Sequence, residues 1–199
     1  MMMDGSALSD LRLPKLNTLC FQILGVLLRE PRSGYDIVKQ LESIRPVTTS
    51  QIYPTLARLE KAELVASENV LQDGRPNKRV YTVTDRGREA LTGWIGSEPE
   101  PPVLRDDFLT MLYSAWIKEP SEVVEMLNRR LDYLHETMGW LETLLAAHRA
   151  KHAEEIRNPR DWRFYRDVLL ARRIASLQEE AIWSRGVIHK LQEAMTHDP

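Results

Sequence analysis

Ser50, Gln51, Tyr53, Pro54, Arg58 and Lys61 bring hydroxyls, an amide, a ring and two bases into one short stretch, with no acid at its N-terminal end. At 100° per residue, Ser50, Pro54, Ala57, Arg58 and Lys61 share one side of a helix, with Tyr53 on the flank; Ile52, Thr55, Leu56 and Leu59 gather opposite. Such a face holds no nucleophile paired with a base and no acid pair. It offers close approach and hydrogen-bond donors: small residues let a helix lie near a groove floor, and Arg and Ser reach phosphates or base edges. Standing alone, the same pattern describes ordinary solvated surface, so the surrounding elements decide.

Leu16, Leu19, Cys20, Ile23, Leu24, Leu27 and Leu28 recur at three- and four-residue steps, the stripe of a first helix stopped by Pro31. Ser33, with Asp36 three positions on, predicts a capped second helix whose apolar side is Tyr35, Val38 and Leu41. The third helix is expected to begin at Thr49 to Gln51, because Pro54 is tolerated in a first turn, and to end near Ala62. Leu64 to Leu71 and Arg79 to Val83 read as strands joined by a turn rich in Asp, Gly, Pro and Asn. Thr84 or Asp85 caps a fourth helix with the stripe Gly87, Ala90, Leu91, Trp94 and Ile95. Three helices, a hairpin with bases at Arg75, Lys78 and Arg79, and a further helix give the order of a winged helix-turn-helix.

The 199 residues carry 27 Lys+Arg against 29 Asp+Glu, so only local clustering can attract nucleic acid. From Arg45 to Arg88 there are eight bases and five acids, a local excess of three. One cysteine, Cys20, excludes an internal disulfide and a Cys-based zinc site and predicts a reducing, cytoplasmic setting. The longest apolar run, Leu19 to Leu28, is too short to span a membrane. The amino-terminal MMMDGSALSDLRLPK lacks the pattern of a secretory signal and is expected to be a loose arm.

Three strings in the first half, FQILGVLLREPRSGYDIVKQL, SQIYPTLARLEKAELV and RPNKRVYTVTDRGREAL, resemble the signature stretches of the PadR family of bacterial transcriptional regulators. The likeness rests on a leucine-rich first helix, the step Gly34-Tyr35-Asp36-Ile37, the run Ile52-Tyr53-Pro54-Thr55-Leu56, and Tyr81, Thr84 and Gly87 closing the wing. It implies a DNA-binding regulator, by family default a repressor, with Tyr53 and its neighbours at the DNA and Arg75 to Arg79 in the wing. With the exposed helix face, this makes Ser50, Gln51, Tyr53, Pro54, Arg58, Lys61, Arg75, Pro76, Lys78 and Arg79 the DNA-contact candidates. One departure is Glu63, where the family often has glycine after the recognition helix.

Beyond the proline-rich stretch Gly96 to Val103 every pattern is helical. Phe108, Leu109, Leu112, Ala115 and Trp116 predict a short helix, and Ser121 is a candidate cap for the next. Val124, Leu127, Leu131, Leu134, Met138, Leu141, Leu145, His148 and His152 form a heptad seam, closed by Asn158-Pro159; Leu170, Ile174, Leu177, Ala181, Ser184, Ile188, Leu191 and Met195 form a second. Two long helices joined by a short turn run antiparallel. Such a pair is thin, and Tyr133, Trp140, Leu144, Trp162 and Trp183 lie off the seams, so a second copy of the chain is expected. The interface candidates are Leu127, Leu131, Leu134, Met138, Leu141, Leu145, Leu177 and Ile188. The resemblance likewise implies a helical C-terminal dimerisation domain.

The expected fold is mainly α with a small β-hairpin: an arm at 1–15, a winged helix-turn-helix at 16–96, a linker at 97–104 and an antiparallel helical dimerisation domain at 105–197. No phosphate-binding glycine loop, nucleophile elbow or HExxH string occurs, so an enzyme is not expected. His148 and His152 lack a third ligand, so neither a metal nor a cofactor is expected. Trp94, Met111 and Trp116 flank the linker and form a candidate apolar pocket. Through the resemblance that pocket suits a small aromatic effector. The competing reading is a winged-helix module whose basic wing docks an acidic protein instead of DNA.

Overall fold

The computed structural model describes residues 16–44, 47–70, 78–99, 101 and 106–197. The chain divides into two compact units, Met1–Glu100 and Pro101–Pro199. The arm, Arg45, the hairpin tip with Arg75 and Pro76, and part of the linker lie outside the described residues.

In the first unit, α1 (Thr18–Leu27) buries Leu19, Cys20, Phe21, Ile23, Leu24, Val26 and Leu27. Asn17 caps it by accepting from the Cys20 N–H at 3.2 Å. The helix ends at Leu27, and Leu28 of the expected stripe is exposed. A two-residue strand β1 (Arg32–Ser33) precedes α2 (Gly34–Glu42). Ser33 caps α2 in a reciprocal capping box with Asp36. Ile37, Val38 and Leu41 form the buried side of α2, while Tyr35 is exposed beneath the Lys39 ammonium, contrary to its expected place in the apolar stripe.

The third helix, α3 (Thr49–Lys61), follows Thr48, whose N–H donates to the Gln51 side chain at 3.1 Å. The helix starts at Thr49, within the expected range, and Pro54 is its sixth residue, in the second turn rather than the first. Having no N–H, it leaves the Ser50 carbonyl without its intrahelical donor on the exposed side. The hairpin strands β2 (Val65–Val70) and β3 (Lys78–Val83) pair antiparallel with Val65 opposite Val83 and Val70 opposite Lys78. β1 adds to the other edge of β3, giving the sheet order β1-β3-β2. That third strand escapes sequence reading because two residues carry no periodicity.

Glu63, the family departure, holds φ at 59°, a left-handed conformation that glycine occupies without strain. Thr84 Oγ1 donates to its carbonyl at 2.7 Å and caps α4 (Asp85–Ile95) through the Gly87 N–H. Gly87 lies so close to the Leu64 backbone that any Cβ would collide with it. Trp94 is only partly covered and Ile95 is exposed, so the last turn of the predicted stripe leaves the core.

The second unit begins with α5 (Asp107–Tyr113) and a 3-10 turn at Ala115–Ile117, none of whose residues is buried. The long helix α6 (Pro120–Lys151) starts with Pro at its first position and Glu119, not Ser121, as cap; the Glu119 N–H donates to Glu122 at 3.3 Å. α6 ends at Lys151, ahead of a 3-10 turn at Glu155–Arg157, and α7 (Trp162–His197) returns antiparallel. Leu141 and Leu145 meet Leu170 and Ile174, and Leu131 and Leu134 meet Ala181. Each helix is about 50 Å long at 1.5 Å per residue. Arg149 with Asp167, and Arg130 with Glu180, pin the pair at separate points.

Candidate nucleic-acid interface

Ile52, Leu56 and Leu59 are wholly buried and Thr55 nearly so, which fixes α3 on the first unit and turns its other face outward. Ser50, Gln51, Tyr53, Pro54 and Lys61 are exposed on that face. Each fully buried Leu or Ile beneath contributes on the order of 2 kcal/mol relative to exposure, so the helix is held firmly enough to present a shape.

Arg58 departs from the expected outward posture. Its guanidinium reaches back to α1, donating to Asn17 Oδ1 at 3.2 Å and lying 3.0 Å from Cys20 Sγ. With Asn17, Thr18, Leu19, Ser50, Gln51, Pro54 and Thr55 it lines an open cleft of about 540 Å³. Asn17 and Thr18, at the start of α1, thus join the exposed α3 face. The sequence signal for them was the Asn17 cap itself, three residues before Cys20.

The wing-base cations are also engaged. Lys78 Nζ lies 2.7 Å from Asp36, joining β3 to the capping box of α2. The Lys78 ammonium, followed by the Ser33 hydroxyl, holds the Asp36 carboxyl below its ordinary range against the opposing effect of burial. Arg79 grips both oxygens of Glu60 at 2.8 Å, and its Nε donates to Ser67 Oγ at 2.9 Å. The Ser67 hydroxyl donates to Glu60 at 2.6 Å and, ahead of Arg79, lowers the Glu60 carboxyl. Arg86 meets Glu63 at 3.0 Å. Much of the local positive excess is therefore paired with carboxylates, and among the described candidates Lys61 is the outward base on α3.

Tyr53 stands against Gly34 of α2. Burial pushes the Tyr81 phenol up, with smaller electrostatic contributions from neighbours that include Tyr53. Sequence reasoning missed Gly34, Glu60 and Ser67, because their partners arrive through tertiary packing rather than through spacing along the chain.

The effector candidates take up different surroundings. Trp94 stacks on Phe21 with ring centroids 4.6 Å apart and planes 3° from parallel. Met111 and Trp116, in the second unit, are 62% and 84% exposed. The interface candidates Leu127, Leu134 and Leu141 are wholly buried, and Leu131 and Leu145 nearly so, within a single chain. Met138, Leu177 and Ile188 pack beside them, half-buried. The seam's partner is α7 of the same chain, so the surface left open for a second copy is the off-seam one: Tyr133, Trp140, Tyr165, Leu169, Ile182 and Trp183. His148 is buried, with Nε2 3.0 Å from the Arg163 carbonyl oxygen, and His152 Nδ1 is 3.7 Å from Glu155. Among the described residues no group of three or more His, Cys, Asp or Glu could hold a metal ion, and no helix is long and apolar enough to cross a membrane.

Residues 23–93 match the family model described as the transcriptional regulator PadR-like family. The negative transcriptional regulator PadR of Bacillus subtilis is 29% identical over 141 residues, covering 66% of this chain and 78% of that protein. Its crystal structure in complex with operator DNA aligns with a TM-score of 0.72 at 21% identity, over 88% of this chain and 99% of that one. Its complex with p-coumaric acid aligns at 0.67 and 20% identity, over 96% and 99%. The PadR-like regulator BC1756 of Bacillus cereus aligns at 0.67 and 26% identity, over 89% and 98%. With those motifs set on a winged-helix unit and followed by a long helical pair, the chain carries a PadR-like domain at residues 23–93 and is similar to PadR-like transcriptional regulators.

Proposed function

We propose that this protein is a DNA-binding transcriptional repressor that acts by binding alone, without a catalytic step, in the cytoplasm. The observation that carries the reading is the exposed face of Ser50, Gln51, Tyr53, Pro54 and Lys61 on a helix anchored by buried Ile52, Leu56 and Leu59. Small and hydroxylated residues with one outward base suit entry into a major groove, and the sheet beside them suits contact with the flanking backbone. The operator complex of the Bacillus subtilis relative supports this use of the fold.

The active species is a homodimer that joins through the off-seam aromatic surface of α6 and α7, because the seam leucines are already occupied within one chain. Two subunits related by a two-fold axis read a palindromic operator. An aromatic acid relieves binding, in keeping with the p-coumaric acid held by the relative. Selection of genomic fragments with the purified protein tests the reading. A palindromic motif among the bound fragments is expected; absence of enrichment would leave a winged-helix module that docks protein.

A further inference from the structure

We propose that Gly34 determines how the recognition helix reads its site: the missing side chain gives the Tyr53 ring its seat on α2 and so fixes where that ring stands. The inference rests on the DNA-reading function proposed above and assigns a specificity role to a residue outside the recognition helix.

Gly34 is the first residue of α2, directly after the Ser33 cap, and its backbone is outside the left-handed region where glycine is favoured. Local conformation gives no reason for glycine there. Alanine is the better helix former and reduces the freedom of the unfolded chain. The reason lies across the helix pair. A Cβ on Gly34 would stand 2.7 Å from Cε1, 2.9 Å from Cζ and 3.2 Å from Oη of Tyr53. Contacts that short force something to move. Those three atoms are the far end of a flexible side chain that is 50% exposed, so the ring moves and the backbone stays. The neighbouring Ile52 and Leu56 remain buried and hold α3 where it is. One methyl group on α2 therefore re-aims an exposed aromatic side chain on α3 without shifting the helix that carries it. Base-edge contacts depend on donor and acceptor geometry, so such a change falls on discrimination between sequences more than on attraction to phosphate.

The test uses the full-length protein and a random-sequence duplex library, followed by affinities for the enriched duplex and for a scrambled duplex of equal length. The ratio of the two affinities is the readout. Tyr53→Ala is expected to lower it roughly tenfold, and Gly34→Ala roughly three- to tenfold with a melting temperature at or above that of the wild type. The double variant Gly34→Ala/Tyr53→Ala should match Tyr53→Ala within about twofold, since residues that act through one another are not additive. A wild-type ratio for Gly34→Ala, or losses that multiply in the double variant, would overturn the inference and leave the DNA reading intact. So would a wild-type ratio for Tyr53→Ala. No enrichment by the wild type would overturn the DNA reading and this inference with it. Should Gly34→Ala fail to fold, the double variant decides: a folded protein with the ratio of Tyr53→Ala supports the ring as the obstacle, and an unfolded one contradicts it.

Discussion

Arg79 closes on both carboxylate oxygens of Glu60 at 2.8 Å, tying the wing strand β3 to the recognition helix α3. The pair is partly exposed, at 53% and 33% of the two side chains, so its contribution to stability is small. Its consequence is electrostatic. Without Arg79, a bare carboxylate stands on the helix that is to approach phosphate. Arg79→Ala should therefore weaken binding to any duplex about three- to tenfold at 0.15 M salt, and adding Glu60→Gln should recover most of the loss. Fluorescence anisotropy with a labelled duplex measures both. No recovery would mean that Arg79 itself contacts phosphate.

Asp36 holds Lys78 and caps α2, and its carboxyl titrates below the ordinary range, chiefly because of Lys78. A depressed carboxylate stabilises the fold above its unfolded pKa of about 4, and that contribution disappears as pH falls through the lower folded value. Asp36→Asn should cost about 1 kcal/mol or less at pH 7, since both side chains are partly exposed. The difference from wild type should narrow below about pH 4. Urea titrations at pH 7 and pH 3 check the sign; a constant difference would show that the loss is one of packing.

Leu134 is wholly buried between α6 and α7 of one chain, whereas Trp183 is 42% exposed on α7. Leu134→Asp places an unpaired charge in an apolar core and should cost several kcal/mol, unfolding the helical pair. Trp183→Glu should instead leave helicity intact and convert dimer to monomer. Circular dichroism with analytical ultracentrifugation separates the two. A folded Leu134→Asp monomer would return the dimer contact to the seam.

Glu63 adopts φ of 59°, a conformation that costs a non-glycine residue about 1–2 kcal/mol, while glycine costs about 0.5–1 kcal/mol in chain entropy. Glu63→Gly should thus raise stability by about 0.5 kcal/mol, part of the gain being lost with the exposed Arg86 bridge. Thermal melts measure it. A fall in melting temperature would mean that the bridge outweighs the strain.

Local signals were legible where a residue and its partner lie within one turn. Ser33 with Asp36 announced the cap of α2, and the spacing of Ile52, Thr55, Leu56 and Leu59 announced the buried side of α3. What depends on chain return was not legible. Arg58 looks outward on a helical wheel but turns to Asn17 and Cys20, which a different helix supplies. Lys78 and Arg79 look like free wing bases until the hairpin register sets them beside Asp36 and Glu60. The heptad seam of α6 announces that a helix packs on it, but not whose helix, and the answer is the chain's own α7.

Hydroxyl-radical footprinting on a selected duplex shows whether the exposed face of α3 reads DNA from a two-fold dimer. Two protected patches related by a dyad are expected, centred one helical turn of about 10 base pairs or a multiple apart, with both weakened together in Tyr53→Ala. No protection at saturating protein, or a single patch without a dyad-related mate, would contradict it.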